Sequence, residues 1–334
     1  MIRAFAPGRV NLMGDHTDHT GGLVLPMAID LGTTITGERG GAVVELHSPI
    51  EPEPAIVPIH VTDPAAVTPG WARYVAGVVA ELRPSSGFVG RVATTLPVGA
   101  GLSSSAALEV AVGMALGFEG SPQALAQLTQ RAEQRASGVP CGIMDQLASV
   151  AGVRGHALRI DCTSLSVTPV PFPDDVDVAV VDSKQRRELA TSAYGERAAS
   201  CQAAQTELGP LRLASLADVA ALADPVVRRR ARHVVTENAR VDELVAAFDT
   251  GDRAAMADVM RASHHSLRDD FEVSTAVLDA LVERLAAIDG VIGVRLTGAG
   301  FGGCVVAVAE RHAPLPGDLI AWRVRPSSAA RLVT

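Results

Sequence analysis

The sequence predicts an α/β protein made of two α+β domains, and three features point that way. The first half alternates short β-rich runs with turns bearing glycine and proline. A proline-dense segment at 169–177 interrupts the chain. Beyond it come long Ala- and Arg-rich helices closed by a strand–turn–strand. The break places a domain boundary at about residue 172, giving domains 1–172 and 173–334.

In order, Val43 to His47, Ile56 to Val61 and Val89 to Thr95 are short β-rich runs separated by Pro and Gly. Between them, 71–82 carries Trp71, Val75, Val78 and Val79 at helical spacing. After a turn at 97–101, the segment 105–118 has Glu109 as its only charge, and a helix apolar on every side is a buried helix. Ser121 followed by Pro122 starts an amphipathic helix over 121–136. In the second domain an apolar run at 178–181 precedes helices at 187–208, 225–248, 251–266 and 274–288. Strands at 293–297 and 305–309 follow.

Composition excludes several functions. The 334 residues are 48% apolar and 20% charged, long and apolar enough for proper cores and unlike a disordered chain. With 29 basic against 37 acidic residues the net charge is −8, which repels polyanions and argues against a nucleic-acid partner. Lys184 is the only lysine, so neither a Walker A loop nor the strand lysine of a protein kinase is possible. Cys141, Cys162, Cys201 and Cys304 form no CxxC pair and no metal spacing, and are read as reduced and mostly buried. Arg3, Arg9 and Asp15 fall where a signal peptide needs its apolar core, and no run of about 18 apolar residues follows. The expectation is a soluble, cytoplasmic protein without membrane partners.

Four segments carry chemistry. In 96–108, Gly99 and Gly101 let the backbone approach a ligand, and Ser103, Ser104 and Ser105 offer hydroxyls and N-caps where the buried helix starts. A helix N-terminus leaves about four amide donors free and carries about half a positive charge, which suits phosphate without any lysine. The alternative is a glycine turn with a serine cap. Segment 8–22, with Arg9, Asn11, Asp15, His16, Asp18 and His19 among glycines, suits a polyhydroxylated ligand. A His16/Asp18/His19 metal site and a solvated turn are the alternatives.

In 133–146, Asp145 lies between Met144 and an apolar run, so its carboxylate needs a partner or a task. Accepting a hydroxyl proton beside an arginine during phosphoryl transfer would supply both; capping a helix that begins near Gln146 is the alternative. Glu133 suits Mg²⁺, which takes few protein ligands besides phosphate oxygens, or else is a surface helix residue. The fourth segment, 296–304, holds Gly298, Gly300, Gly302 and Gly303, which permit close approach to a ligand or to the other domain. A tight hairpin explains part of it.

In this order the four segments resemble the GHMP small-molecule kinases, and 8–22 resembles the galactokinase signature. Segments 71–78, 192–194, 232–237, 266–273 and 321–332 are also similar to galactokinase segments, so the likeness covers nearly the whole chain. The resemblance implies a ribosomal-S5-like N-terminal domain and a ferredoxin-like C-terminal domain with the active site between them. It implies ATP-dependent phosphorylation of galactose at C1. Asp145 would be the base and Arg9 its partner, holding it ionised and stabilising transferred charge. Asp15, His16, Asp18, the backbone at Gly142 and Tyr194 would bind the sugar. Gly99, Gly101, Leu102 and Ser103 to Ser105 would wrap the phosphates of ATP, Ser105 and Glu133 would hold Mg²⁺, and Trp71 would lie against adenine.

The usual Glu of the signature is Asp15 here and the usual Tyr is His19. Those departures leave galacturonate, arabinose or an amino sugar as alternative substrates. A silent sugar sensor is the reading from another class; such proteins tend to lose phosphate-loop residues, and Gly101 to Ala107 is intact. A monomer or weak homodimer is expected. His264-His265 is read as helix-end polar contacts, because adjacent histidines point apart on a helix. Arg228 to Arg230 is read as a solvated helix face.

Overall fold

A computed structural model describes residues 1–97, 99–186 and 190–333. The first part of the chain runs β1 (Ile2–Asn11), β2 (Leu23–Val24), β3 (Pro26–Arg39), β4 (Val43–His47), β5 (Ala55–Pro58), α1 (Ala72–Leu82), β6 (Phe88–Thr94), α2 (Ser104–Ala115), α3 (Pro122–Ser137), α4 (Met144–Ala151), β7 (His156–Asp161) and β8 (Ser166–Pro171). The second runs β9 (Val176–Asp182), α5 (Ala190–Leu208), α6 (Leu216–Ala221), α7 (Pro225–Thr250), α8 (Arg253–Asp269), α9 (Ala276–Ala286), β10 (Val291–Leu296), β11 (Cys304–Glu310), β12 (Ala321–Val324) and β13 (Arg331–Leu332). The helix expected from 187 is described from Ala190; 187–189, and Val98 of the expected turn, lie outside the described residues.

A six-stranded sheet, ordered β13-β1-β3-β6-β4-β5, forms one wall of the first domain, and β2-β7-β8 forms a small second sheet. The long antiparallel pair β1/β3 runs from Ile2↔Gly37 to Asn11↔Pro26, with a register shift between Pro7 and Arg9. Just past the shift, the Arg9 amide leaves the ladder and donates to the Leu102 carbonyl at 3.2 Å, tying the strand to the turn before α2. Such irregularities re-aim side chains beside active sites. Helix α2 packs on β1 and β3 on one side and on α1, α3 and α4 on the others, which is why its sequence is apolar all round. The Ser121 hydroxyl caps α3 as the sequence predicts, accepting from the Ala124 amide at 3.1 Å.

The sheet β10-β11-β9-β12 organises the second domain. Val178, Val180, Val306 and Val308 join one core, and Ala179, Val181, Val305 and Ala307 join a second core with Leu267, Phe271 and Leu285. Apolar packing on both faces accounts for the unbroken apolar runs at 178–181 and 305–309. The last segment returns to the first domain, where β13 pairs with β1. No helix among the described residues is long and apolar enough to cross a membrane. Cys201 and Cys304 are buried, and Cys141 and Cys162 are half-buried.

One expectation fails in the second domain. Arg230 is buried rather than solvated: it donates to the Asp270 carbonyl and, at 2.5 Å, to Glu272 Oε2. Three consecutive arginines spread over about 200° of a helix, so one of them must turn inward.

Between β7 and the residue 211–213 turn, Arg212 donates to Asp161 Oδ1 at 2.7 Å, and the Thr163 and Ser164 amides donate to the same oxygen. These bonds, the Arg212 bond foremost, lower the Asp161 carboxyl to about 2. The ordinary unfolded value is about 3.9. The folded value is the depressed one, so the stabilisation is complete above about pH 4 and disappears as the pH falls toward 2. The stability advantage of the native protein over Asp161→Asn should therefore shrink through this window, measured by urea unfolding at stepped pH. An advantage independent of pH would contradict it.

Candidate functional site

One cleft of about 580 Å³ is lined by every residue to which the resemblance gives a role except Leu102; Asn11, His19, Gly300, Gly302 and Gly303 do not line it. The first domain supplies Arg9 from β1, Asp15, His16 and Asp18 from the loop after it, Gly99 to Ser105 at the head of α2, Glu133 from α3, and Gly142 and Asp145 around the start of α4. The second domain supplies Tyr194 from α5 with Gly298 and Ala299 after β10. Leu102 points its side chain into the core, and its contribution is the carbonyl that receives the Arg9 amide.

Gly99 and Gly101 take φ of 77° and 75°, a left-handed backbone that strains any side-chain-bearing residue. Ser103 occupies the N-cap position of α2, but its hydroxyl does not cap the helix: it donates to Asp145 Oδ2 at 2.5 Å. The Ser105 hydroxyl donates to Glu133 Oε1 at 2.6 Å. The expected serine cap is thus absent, because Ser103 takes a left-handed backbone, φ 58°, in place of the extended one a capping residue needs. The first amides of α2 are left without a side-chain acceptor at the cleft, which is what an anion site needs. Lys184 donates to the Asp318 carbonyl and does not line the cleft.

Asp145 lies in the first turn of α4, which starts at Met144, so it does not cap that helix. Its Oδ1 accepts from Arg9 Nε at 2.7 Å and faces Arg9 Nη2 at 2.6 Å, while Arg9 Nη1 donates to the Gly101 carbonyl at 2.7 Å. A buried planar guanidinium with all three nitrogens engaged fixes the carboxylate in place. Glu133 is half-buried and flanked on both oxygens, by Ser105 and by Gln146 Nε2 at 2.5 Å. Burial, with Asp145 nearby, pushes its carboxyl up to about 7. It is not a plain surface helix residue: the pocket is short of positive charge and offers hard oxygen donors, which fits a divalent cation.

On the sugar-signature side, a Cβ on Gly142 would overlap the Asp18 carboxylate, so only glycine lets Asp18 reach this position. Burial raises the Asp18 carboxyl above its ordinary value. His16 adopts φ 64°, and its ring lies 4.5 Å from that of Phe271 and 5.6 Å from that of Tyr194. Burial, then His19, lowers its pKa well below the usual value, and Nε2 of the neutral ring is buried without a partner. Trp71 donates from Nε1 to the Glu53 carbonyl at 3.0 Å and forms the cleft wall with Ile50 and Tyr74. Elsewhere, His264 pairs with Asp279 at 3.2 Å, a polar contact of the kind expected from the sequence.

Asp15 lines the cleft, but its carboxylate is already committed. Oδ2 pairs with Arg295, Oδ1 accepts from the Gly298 amide at 2.9 Å, and its carbonyl faces His233 Nε2 at 3.0 Å. Arg295 is fully buried, donates to the Leu12 carbonyl at 2.8 Å and stands 3.8 Å from Glu237; burial lowers its pKa to about 9, so it stays charged at neutral pH. Glu237 in turn accepts from Gly14, Ser263 and Arg240. Sequence reading missed Arg295, Glu237 and His233 as site residues. The available signals were a lone arginine in an apolar strand and a His and Glu one helical turn apart.

Family models match three stretches of the chain. The galactokinase galactose-binding signature matches residues 2–39, the GHMP kinases N terminal domain 73–153 and the GHMP kinases C terminal 244–315. A Homo sapiens galactokinase is 44% identical over 327 residues, covering 92% of this chain and 83% of that protein. The structure of Lactococcus lactis galactokinase complexed with galactose superimposes with a TM-score of 0.90 at 30% identity, covering 99% of this chain and 94% of that one. Methanococcus jannaschii mevalonate kinase, at 17% identity and a TM-score of 0.69 over 98% of both chains, shares the fold.

Arg295→Met should leave two buried carboxylates, Asp15 and Glu237, without their shared cation, at a cost of about 3–5 kcal/mol in urea unfolding. Adding Asp15→Asn should recover part of that loss. A single variant as stable as the native protein would show that the pair carries no such weight.

Proposed function

The chain belongs to the galactokinase family of the GHMP kinases, and we propose that its cleft transfers the γ-phosphoryl group of ATP to the C1 hydroxyl of galactose through the residues described above. The observation that carries the reading is the Arg9–Asp145–Ser103 constellation, set between an uncapped helix N-terminus and a loop of buried polar side chains.

In this reading Asp145 accepts the proton of the C1 hydroxyl as that oxygen bonds to the γ-phosphorus and the bond to the β–γ bridging oxygen breaks, releasing ADP. Arg9 holds the Asp145 carboxylate in place and faces the charge that develops on the transferred group. Main-chain amides of Gly99 to Ser105 receive the phosphates, and Trp71 lines the adenine side. Asp18, His16, Tyr194 and the Gly142 backbone orient the sugar. Ser105 and Glu133 would hold Mg²⁺, which shields phosphate charge when bound. Asp15 acts on the sugar from a position fixed by Arg295. That commitment is the observation behind the second reading, a preference for a sugar other than galactose, such as galacturonate, arabinose or an amino sugar. The free thiols of Cys141, Cys162 and Cys201 suit a cytoplasmic enzyme, and we read it as a monomer or weak homodimer, with the domain boundary near residue 172.

Asp145→Asn should lower kcat by about 10²–10⁴-fold with the unfolding midpoint nearly unchanged, measured by coupled ADP release. Near-normal turnover would remove Asp145 from the role of base. Gly142→Ala should raise KM for the sugar roughly tenfold, the loss expected from displacing one charged hydrogen-bonding group, with a smaller change in kcat. An unchanged KM would detach Asp18 from the sugar. Assayed over a panel of sugars, galactose should give the highest kcat/KM; a far better substrate among the others would establish the second reading.

A further inference from the structure

His16 holds a backbone that a side-chain-bearing residue rarely keeps, φ 64°, in the loop that supplies one side of the cleft. Such a residue stays left-handed only where its surroundings over-determine it. A simple relaxation is open to it: turning the Asp15–His16 peptide through half a turn would carry φ of His16 into the ordinary negative region. Allowed rotamers follow the backbone, so the Asp15 and His16 side chains would then no longer be held where the cleft has them. Arg295 and the Gly298 amide grip the Asp15 carboxylate, not its peptide.

The peptide is held by His233. This residue of α7 is fully buried and does not line the cleft, and its Nε2 lies 3.0 Å from the Asp15 carbonyl oxygen. A carbonyl only accepts, so Nε2 carries a proton. Burial lowers the pKa of the ring to about 4, so at neutral pH it is uncharged and Nδ1 accepts from the Ser266 hydroxyl at 2.9 Å. Ser266 Oγ is also 3.4 Å from Asp270 Oδ2, too far for a normal O–H···O bond. Two partners thus fix one tautomer. A turned peptide would set the His16 N–H against the His233 N–H, two donors face to face in a dry core. The Phe271 ring packs on the rings of His233 and His16 alike, at 4.6 and 4.5 Å.

We infer that His233 is a positioning residue for the sugar side of the cleft: its Nε2–H, oriented by Ser266, locks the Asp15–His16 peptide and so keeps His16 left-handed with its ring at the cleft. The inference rests on the reading that His16 orients the sugar. A helix of the second domain thereby sets a backbone angle in the first.

The test uses the full-length protein with galactose and ATP as probes. His233→Phe keeps a ring against Phe271 but has no donor. It should raise KM for galactose about fivefold or more, the fold-change of one lost hydrogen bond, with KM for ATP within about twofold of native and kcat falling less than KM rises. His233→Gln returns an N–H near the Nε2 position and should bring KM for galactose back to within about twofold of native. A Phe variant with native KM for galactose, a Phe variant whose KM for ATP rises equally, or a Gln variant as impaired as the Phe variant overturns the inference. Independently of how the variants fold, nitrogen NMR of the native protein, with the His233 signals assigned by their loss in His233→Gln, should show Nε2 protonated and Nδ1 bare at neutral pH. The opposite tautomer or a doubly protonated ring overturns the inference while leaving the His16 reading intact. Native KM for galactose in His16→Ala overturns the His16 reading instead and, with it, the link from His233 to the sugar. A native protein that does not turn over galactose overturns the galactose reading, and the same comparison is then run with the sugar that the panel favours.

Discussion

The site depends first on the Arg9 guanidinium. It is buried, and it binds the Asp145 carboxylate with two nitrogens and the Gly101 carbonyl with the third, while its own amide holds the Leu102 carbonyl. One residue therefore sets the distance between a strand, a glycine turn and the first turn of α4. A lysine could not do this, because an ammonium is a point charge on a flexible stem and lacks a planar fork of donors. The register shift in the β1/β3 ladder beside Arg9 frees the amide for this second task.

A second constraint joins the two domains. The loop that follows β1 is held from the far side by Arg295, Glu237 and His233, all buried and all from the second domain. Buried ion pairs gain little net stability over apolar packing, because desolvation offsets their attraction; what they do is penalise misplacement of either partner. Here the penalty falls on the position of Asp15 and hence on one wall of the cleft. Specificity for a sugar is built where a polar group left unpaired is expensive.

In the proposed reading the chain handles phosphate without lysine, on amides of α2 that carry no side-chain cap at the cleft. Ser103 is turned from capping by its left-handed backbone, and the Ser103 and Ser105 hydroxyls instead fix the Asp145 and Glu133 carboxylates.

Much of this was legible in the sequence. The apolar periodicity of 105–118, the Ser121-Pro122 start and the unbroken strand at 305–309 are local signals, and the described elements begin and end within a few residues of them. Residue types narrowed the chemistry too, since one lysine excluded two classes of nucleotide site and the glycine–serine turn does line the cleft. What each polar side chain does with its hydrogen bonds was not legible. That Ser103 serves Asp145 rather than its helix, that Asp15 is taken by Arg295, and that Arg230 turns inward all depend on partners 40 to 280 residues away. Spacing along the chain encodes which face an element buries. Only the packed structure decides which buried donor meets which acceptor, because that pairing is chosen by competition among groups brought together by folding.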